Sequence, residues 1–350
     1  MQTSKEKIIG YWLLIGVAML LIQVLLGGIT RLTGSGLSIT EWKPILGFIP
    51  PLNEQGWQKA FLMYQEKTGQ YKYLNQDFSL SDFKFIYFWE WFHRVWARFM
   101  AIVFVIPFVF FLVKKYFTSQ MMYALLTLFI LGAAQGLIGW IMVASGLNDD
   151  NLYVSHIRLA AHFISALVLI GFTFWYALHL LIPQTSYVYH KGLLRLSLFI
   201  LVILFCQLSY GAFMAGLKAA TVAPTWPLIN GEWIPQTWHK DFLYHPISIH
   251  FVHRGLAYLL FVLILIFYFY SQKSIQSTLY NRSVYSTLIL VLLQIGLGIF
   301  TVLYSTHTAR NGFGLFEYLA QAHQLTAMFL FLALLTCIFL LKSSKHSNAN

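Results

Sequence analysis

The stretch FIYFWEWFHRVWARFMAIVFVIPFVFFLV, residues 85–113, decides the fold. Crossing a bilayer takes about 20 mostly apolar residues in one helix, and this run is longer than that. It carries Glu90, His93, Arg94 and Arg98, and Lys114 and Lys115 follow it. Seven further apolar runs lie at about 8–29, 119–143, 155–183, 194–216, 246–271, 283–305 and 315–341. The expected class is an all-α integral membrane protein with eight transmembrane helices.

Composition agrees. Of the 350 residues, 58% are hydrophobic and 10% charged, whereas a soluble domain carries about a quarter charged residues. The aromatic content of 18% suits membrane interfaces and a flat aromatic ligand. The net charge of +11 does not point to nucleic acid, because the basic residues punctuate the apolar runs and never gather in one domain. That pattern is a topology signal. Lys5/Lys7, Lys114/Lys115, Lys191/Arg195, Lys273/Arg282 and Lys342/Lys345 fall at one set of helix ends, opposed there only by Glu6. Both termini are therefore expected in the cytoplasm. The N-terminal apolar run is too long for a signal-peptide core, and no Arg-rich transit peptide is present. A bacterial inner (plasma) membrane is the expected location, with lipid as the surrounding partner. Cys206 and Cys337 lie in apolar runs and read as buried packing residues. The first outer loop, about 30–83, mixes charges (Glu41, Lys43, Glu54, Lys59, Glu66, Lys67, Asp77, Asp82). It is long for a structureless loop, so it is expected to contain helix and to cover something.

The chain repeats itself. Gln23-x3-Gly27 aligns with Gln207-x3-Gly211, and Trp42, Gly47 and Pro51 then align without a gap with Trp226, Gly231 and Pro235. His93-Arg94 matches His253-Arg254, Gln135-x3-Gly139 matches Gln294-x3-Gly298, and Ala161-His162 matches Ala322-His323. Each half holds four helices, so both halves keep one orientation. The expected architecture is two tandem four-helix bundles, residues 1–186 and 187–350. A pseudo-two-fold axis along the membrane normal would relate them.

Four of the twelve histidines carry the repeat. A lone histidine in an apolar helix is more often a hydrogen-bonded structural residue than a ligand. Here, however, His93 and His253 lie on the second helix of each half, and His162 and His323 on the fourth. Each is expected about two to three turns in from the outer end of its helix. Ionisable groups at such depth are costly and usually functional. Two imidazoles from facing helices make an axial pair for haem iron, and a slot between helices suits the porphyrin. Gly139, Ala160, Ala161, Gly255, Gly296 and Gly298 would let the macrocycle and helices approach closely. Zinc or non-haem iron would call for carboxylates or more histidines per cluster. Arg94 and Arg254, helped by Arg98, could pair with haem propionates or could snorkel to headgroups. His179, His190, His239, His245, His307 and His346 read as structural, interfacial or solvent-exposed. His156 and His250 read as structural, interfacial or solvent-exposed as well, but each lies close to a candidate ligand and could instead orient it or relay protons.

By these boundaries only Glu90 and Glu317 fall inside spanning helices. Glu317 sits at a first turn, which tolerates a carboxylate. Glu90 is deeper and shares a helix face with His93. It reads either as an orienting or helix-end residue, or as an acid/base or cation stabiliser. The position that repeats Glu90 is His250. The halves thus share a scaffold but differ beside it, which favours an enzyme over a pure electron carrier.

The stretch Gly27 to Pro44 (GGITRLTGSGLSITEWKP) resembles the first outer loop of haem A synthases, particularly the branch shared by proteobacteria and mitochondria. So do Glu90-Trp-Phe-His-Arg94, Arg158-Leu-Ala-Ala-His162, Thr225-Trp-Pro-Leu-Ile-Asn-Gly231, His253-Arg254 and His323-Gln324. The resemblance covers the whole chain. It implies an oxidoreductase that converts the C8 methyl of haem O to the formyl group of haem A, for cytochrome c oxidase assembly. It also implies a resident haem b at His253 and His323, substrate haem at His93 and His162, and Glu90 as the essential carboxylate. Haem O synthase (protohaem farnesyltransferase) and an electron-transfer protein are the partners implied, and a homo-oligomer is compatible with it. Gram-positive relatives carry cysteine pairs in the outer loops; this chain has none, so no thiol step is expected. Position 250 is often Gln in relatives and is His here. The competing reading is a non-catalytic membrane cytochrome b passing electrons between quinone and another carrier. A haem transporter or chaperone is a weaker third.

Overall fold

The structure is a computed structural model describing residues 3–41, 46–147, 151–309 and 312–342. Trp42, Lys43, Pro44, Lys345 and His346 lie outside the described residues. The described residues form α1 (Ser4–Leu32), α2 (Glu54–Lys67), α3 (Gly69–Leu74), α4 (Leu80–Val113), α5 (Ser119–Ala144), α6 (His156–Leu181), α7 (Lys191–Gly216), α8 (Ala219–Val222), α9 (Pro246–Ser274), α10 (Thr278–Leu303) and α11 (Leu315–Leu340). Eight of them, α1, α4, α5, α6, α7, α9, α10 and α11, are long and apolar enough to cross a membrane. The protein is an all-α integral membrane protein.

The spans match the expected ones to within a few residues, and the differences have local causes. At α4 the Ser79 hydroxyl accepts from the Asp82 N–H while the Asp82 carboxylate accepts from the Ser79 N–H, a reciprocal cap that starts the helix at Leu80 rather than at 85. Thr3 and Glu6 cap α1 in the same way. Glu6 and Asp82 therefore also fall within spanning helices, which corrects the expectation that only Glu90 and Glu317 do. Both serve helix ends, where the dipole favours an anion.

The extended outer end of α4 has a partner. The first outer loop contains helix, as expected: α2 lays Trp57, Phe61 and Tyr64 against Phe83 and Tyr87 of α4, and Tyr71 of α3 joins them. Phe61 stacks on Phe83 at 5.1 Å, and Trp57 meets Tyr87 edge-on at 5.0 Å.

Among the spanning helices, α1 packs on α4 and α6, and α6 on α5. In the second half α7 packs on α9 and α11, and α11 on α10. The pairs α6–α7 and α1–α11 join the two sets. One apolar cluster gathers Ile9, Leu13, Phe111, Leu125 and Leu180 from α1, α4, α5 and α6. A larger one centres on α11 and takes in α6, α7, α9 and α10. Cys337 is buried there, as expected, but Cys206 is exposed. An apolar residue on a membrane helix need not face protein, because lipid solvates it equally well.

Candidate functional site

One small arrangement occurs four times. A Cβ added at Gly27 of α1 would stand 3.4 Å from the His93 ring on α4. At Gly139 of α5 it would stand 2.8 Å from His162 on α6. At Gly211 of α7 the distance to His253 on α9 is 3.3 Å, and at Gly298 of α10 the distance to His323 on α11 is 2.9 Å. Each histidine thus lies on the bare backbone of a neighbouring helix. Each of these glycines precedes the last residue of its helix (Leu32, Ala144, Gly216, Leu303) by five positions. The four imidazoles therefore share one depth, about 7–8 Å along the helix from the outer ends.

The glutamine one turn before each glycine completes the cradle. Gln23 Nε2 donates to the His93 carbonyl at 3.2 Å. Gln135 Nε2 donates to the His162 carbonyl at 2.9 Å and lies 3.1 Å from the ring Nδ1. Gln207 Nε2 lies 3.4 Å from His253 Nε2. Gln294 Nε2 lies 3.2 Å from His323 Nε2, and the Gln294 carbonyl is 3.1 Å from His323 Nδ1. The Gln-x3-Gly pairs mark the repeat in the sequence. Their i, i+4 spacing, which puts both residues on one helix face, was the signal for this second role.

His93 lies within electrostatic reach of His162, and His253 of His323.

Beside the pairs, the two halves use one device with different parts. Glu90 is buried. Its Oε2 accepts from the Ser38 hydroxyl at 2.7 Å and from the Ile39 N–H at 2.8 Å. Its Oε1 accepts from Arg94 Nη2 at 2.6 Å, and the same nitrogen reaches the Ile39 carbonyl at 3.3 Å. In the second half His250 Nε2 accepts from Arg254 Nε at 3.0 Å. The Arg254 guanidinium also donates to the carbonyls of Thr225 (2.6 Å), Pro227 (3.2 Å) and Leu228 (3.3 Å). Each arginine thus clamps an outer loop over a histidine pair. These partners lie far away in sequence, and sequence reasoning missed the clamp. Arg98 lies over the Phe48 ring of the first loop at 6.0 Å.

His250 Nε2 is taken by Arg254, and His253 lies against Gly211. His156 is tied elsewhere, with Nε2 2.7 Å from the Leu243 carbonyl and its ring edge-on to Tyr244. His190 and His245 cap α7 and α9 through their Nδ1 atoms.

The sequence profile of the cytochrome oxidase assembly proteins (COX15-CtaA) matches residues 10–345. The chain belongs to this family. It is 38% identical to the haem A synthase of Flavobacterium johnsoniae over 341 residues, 95% of this chain and 97% of that protein. It is 40% identical to the haem A synthase of Bartonella bacilliformis over 87% of this chain and 86% of that protein. For the haem A synthase of Nitrosomonas eutropha the identity is 37%, over 95% and 93%.

The donor set of this cytochrome oxidase assembly protein fits haem. No group of three or more His, Cys, Asp or Glu gathers among the described residues. The amide oxygens of Gln23, Gln207 and Gln294 are buried without a hydrogen-bond partner. A buried acceptor without a partner calls for one that the protein does not itself supply, such as a bound ligand or water.

Proposed function

We propose that this protein is a haem A synthase, which oxidises the C8 methyl of haem O to the formyl group of haem A for cytochrome c oxidase. The observation that carries this reading is the twice-made pair of cradled imidazoles, His93/His162 and His253/His323, set beside unequal neighbours, Glu90 and His250. Two equal pairs would suit an electron carrier. One pair beside a carboxylate suits chemistry at one centre and electron passage at the other.

In this reading residues 1–186 form the substrate half and residues 187–350 the resident-cofactor half. The equivalent helix contacts, α1–α4 with α7–α9 and α5–α6 with α10–α11, support two bundles related by a pseudo-two-fold axis. His93 and His162 hold haem O, and Gln23 and Gln135 orient them. His253 and His323 hold haem b, and bound haem b supplies one-electron transfer. Arg94, Arg98 and Arg254 provide positive charge for propionates at the outer end. The loop clamped by Glu90 and Arg94 limits water at the reaction site.

Glu90 is the reacting carboxylate. Electrons leaving a methyl on a porphyrin leave positive charge there, which a nearby carboxylate stabilises. Glu90 can also take a proton from incoming water. Two successive hydroxylations by water, each releasing two electrons and two protons, give a geminal diol that loses water to the aldehyde, and the four electrons leave to the separate electron-transfer protein. The protein resides in the bacterial inner membrane with both termini cytoplasmic, receives haem O from haem O synthase and exchanges electrons with a separate protein. No nucleic acid is involved, and a homo-oligomer is compatible with the lipid-facing helices.

The test is haem extraction from cells that make haem O, with and without this protein. Haem A only when the protein is present is expected. Its absence, with haem O unchanged, overturns the reading in favour of a non-catalytic cytochrome.

A further inference from the structure

The two halves differ in one more way, in how their second and third spanning helices meet. In the second half α9 and α10 pack along each other. Leu260 of α9 and Val291 of α10 are both buried, and Ile295 joins them in the same apolar cluster. Tyr268 and Tyr285 close the inner end at 5.3 Å. In the first half α4 and α5 are not packed along their length in this way. They touch where Phe104 meets Phe129 at 5.6 Å, and further inward Phe108 of α4 meets Phe117, just ahead of α5, at 5.4 Å. Toward the outer side they part.

The repeat register explains the difference. Aligning Gln135 with Gln294 sets Gly132 against Val291 and Gly136 against Ile295. A Cβ at Gly132 or Gly136 would meet nothing within 4 Å. At these two positions the second half carries Val291 and Ile295, where the first half has bare backbone and open space. Gly132, Gly136 and Gly139 share one face of α5, at spacings of four and three. Gly139 is the residue on which His162 lies. The open strip is therefore continuous with the histidine pair and runs inward from it. The flanking residues are apolar and exposed: Phe99 and Ile102 on α4, Leu137 and Trp140 on α5.

We infer that the α4–α5 seam is a lateral gateway, through which a haem carrying a long prenyl chain passes between the outer leaflet and the His93/His162 site. This rests on the reading of that pair as the haem O site. The prenyl chain lies along the Gly132–Gly136 strip. The closed α9–α10 seam has the opposite consequence and retains its haem.

The test gives the strip the side chains that the second half carries at these two positions. Haem O is delivered from phosphatidylcholine vesicles to the full-length protein in nanodiscs, and stopped-flow absorbance follows uptake. The double variant Gly132→Val/Gly136→Ile is compared with the parent. Thermal unfolding and the haem absorbance of the second half report on folding, and Gly132→Val alone repeats the comparison if the double variant melts early. A fall of about tenfold or more in the association rate is expected, as for binding that must wait on a conformational change. Uptake at the parental rate by a folded variant overturns the gateway alone. A strip that takes only lipid acyl chains gives that result too. A parent that binds no haem O overturns both the gateway and the site reading beneath it.

Discussion

Glu90 is the residue on which the most depends, and its neighbours define a clean substitution. Ser38 and Ile39 donate to one carboxylate oxygen and Arg94 to the other. Glu90→Gln keeps an oxygen for the two loop donors and removes the charge. Haem A formation should fall by about 10²–10⁴-fold, the usual weight of a positioned acid or base. Haem O or a hydroxylated intermediate should accumulate, while haem content stays at the parental level. Conversion near the parental rate would leave Glu90 with only its loop contact. Ser38→Ala is the contrasting change. It removes one hydrogen bond, costs about 0.5–1.5 kcal/mol in thermal unfolding, and should leave the conversion in place. The sequence made Glu90 and the four histidines legible because ionisable side chains stand out against apolar runs. It did not make the clamps legible, since Arg254 binds carbonyls at Thr225, Pro227 and Leu228 that no local pattern ties to it.

At the scale of elements, the glycines opposite the imidazoles set how closely paired helices approach. A Cβ at Gly298 would stand 2.9 Å from the His323 ring, and α10 and α11 pack closely. Gly298→Ala forces the ring or the helix to shift, and overpacking of this kind costs about 1–3 kcal/mol. The expected result is a lower melting temperature with an altered absorbance spectrum and midpoint potential of the haem in the second half. An unchanged spectrum would show that the ring on Gly298 is not a ligand. Gly255 and Gly296 were also expected to permit close approach, but a Cβ at either meets nothing within 4 Å. Spans were readable because lipid demands long apolar runs. Their starts were not, because Thr3/Glu6 and Ser79/Asp82 add polar turns to α1 and α4 that an apolar count leaves out. The Asn230-Gly231 turn in the third outer loop carried a sequence signal. Both residues have positive φ, and Ile229 and Glu232 exchange backbone hydrogen bonds across them.

For the whole molecule, the question is whether two centres made from one repeat act separately. Each cradle is built within its own half. His93 of α4 rests against α1, His162 of α6 against α5, His253 of α9 against α7 and His323 of α11 against α10. Among the described residues, no glutamine or glycine of one half lies against any of these four rings in the other, although Gly216 meets His156 across the halves. The contacts that do join the halves, such as Gln324 donating to the Val24 carbonyl at 3.1 Å and Arg31 donating to the Ala215 carbonyl at 3.0 Å, touch none of the four rings. Changes at sites that share no partners add independently. His253→Ala should therefore remove the resident haem and leave haem O binding in the first half intact. His162→Ala should abolish haem O binding and leave the resident haem at its parental ratio to protein. Haem extraction and absorbance titration on the two purified variants measure both quantities. Loss of both haems from either variant would mean one shared site, and the division of labour between the halves would fall with it.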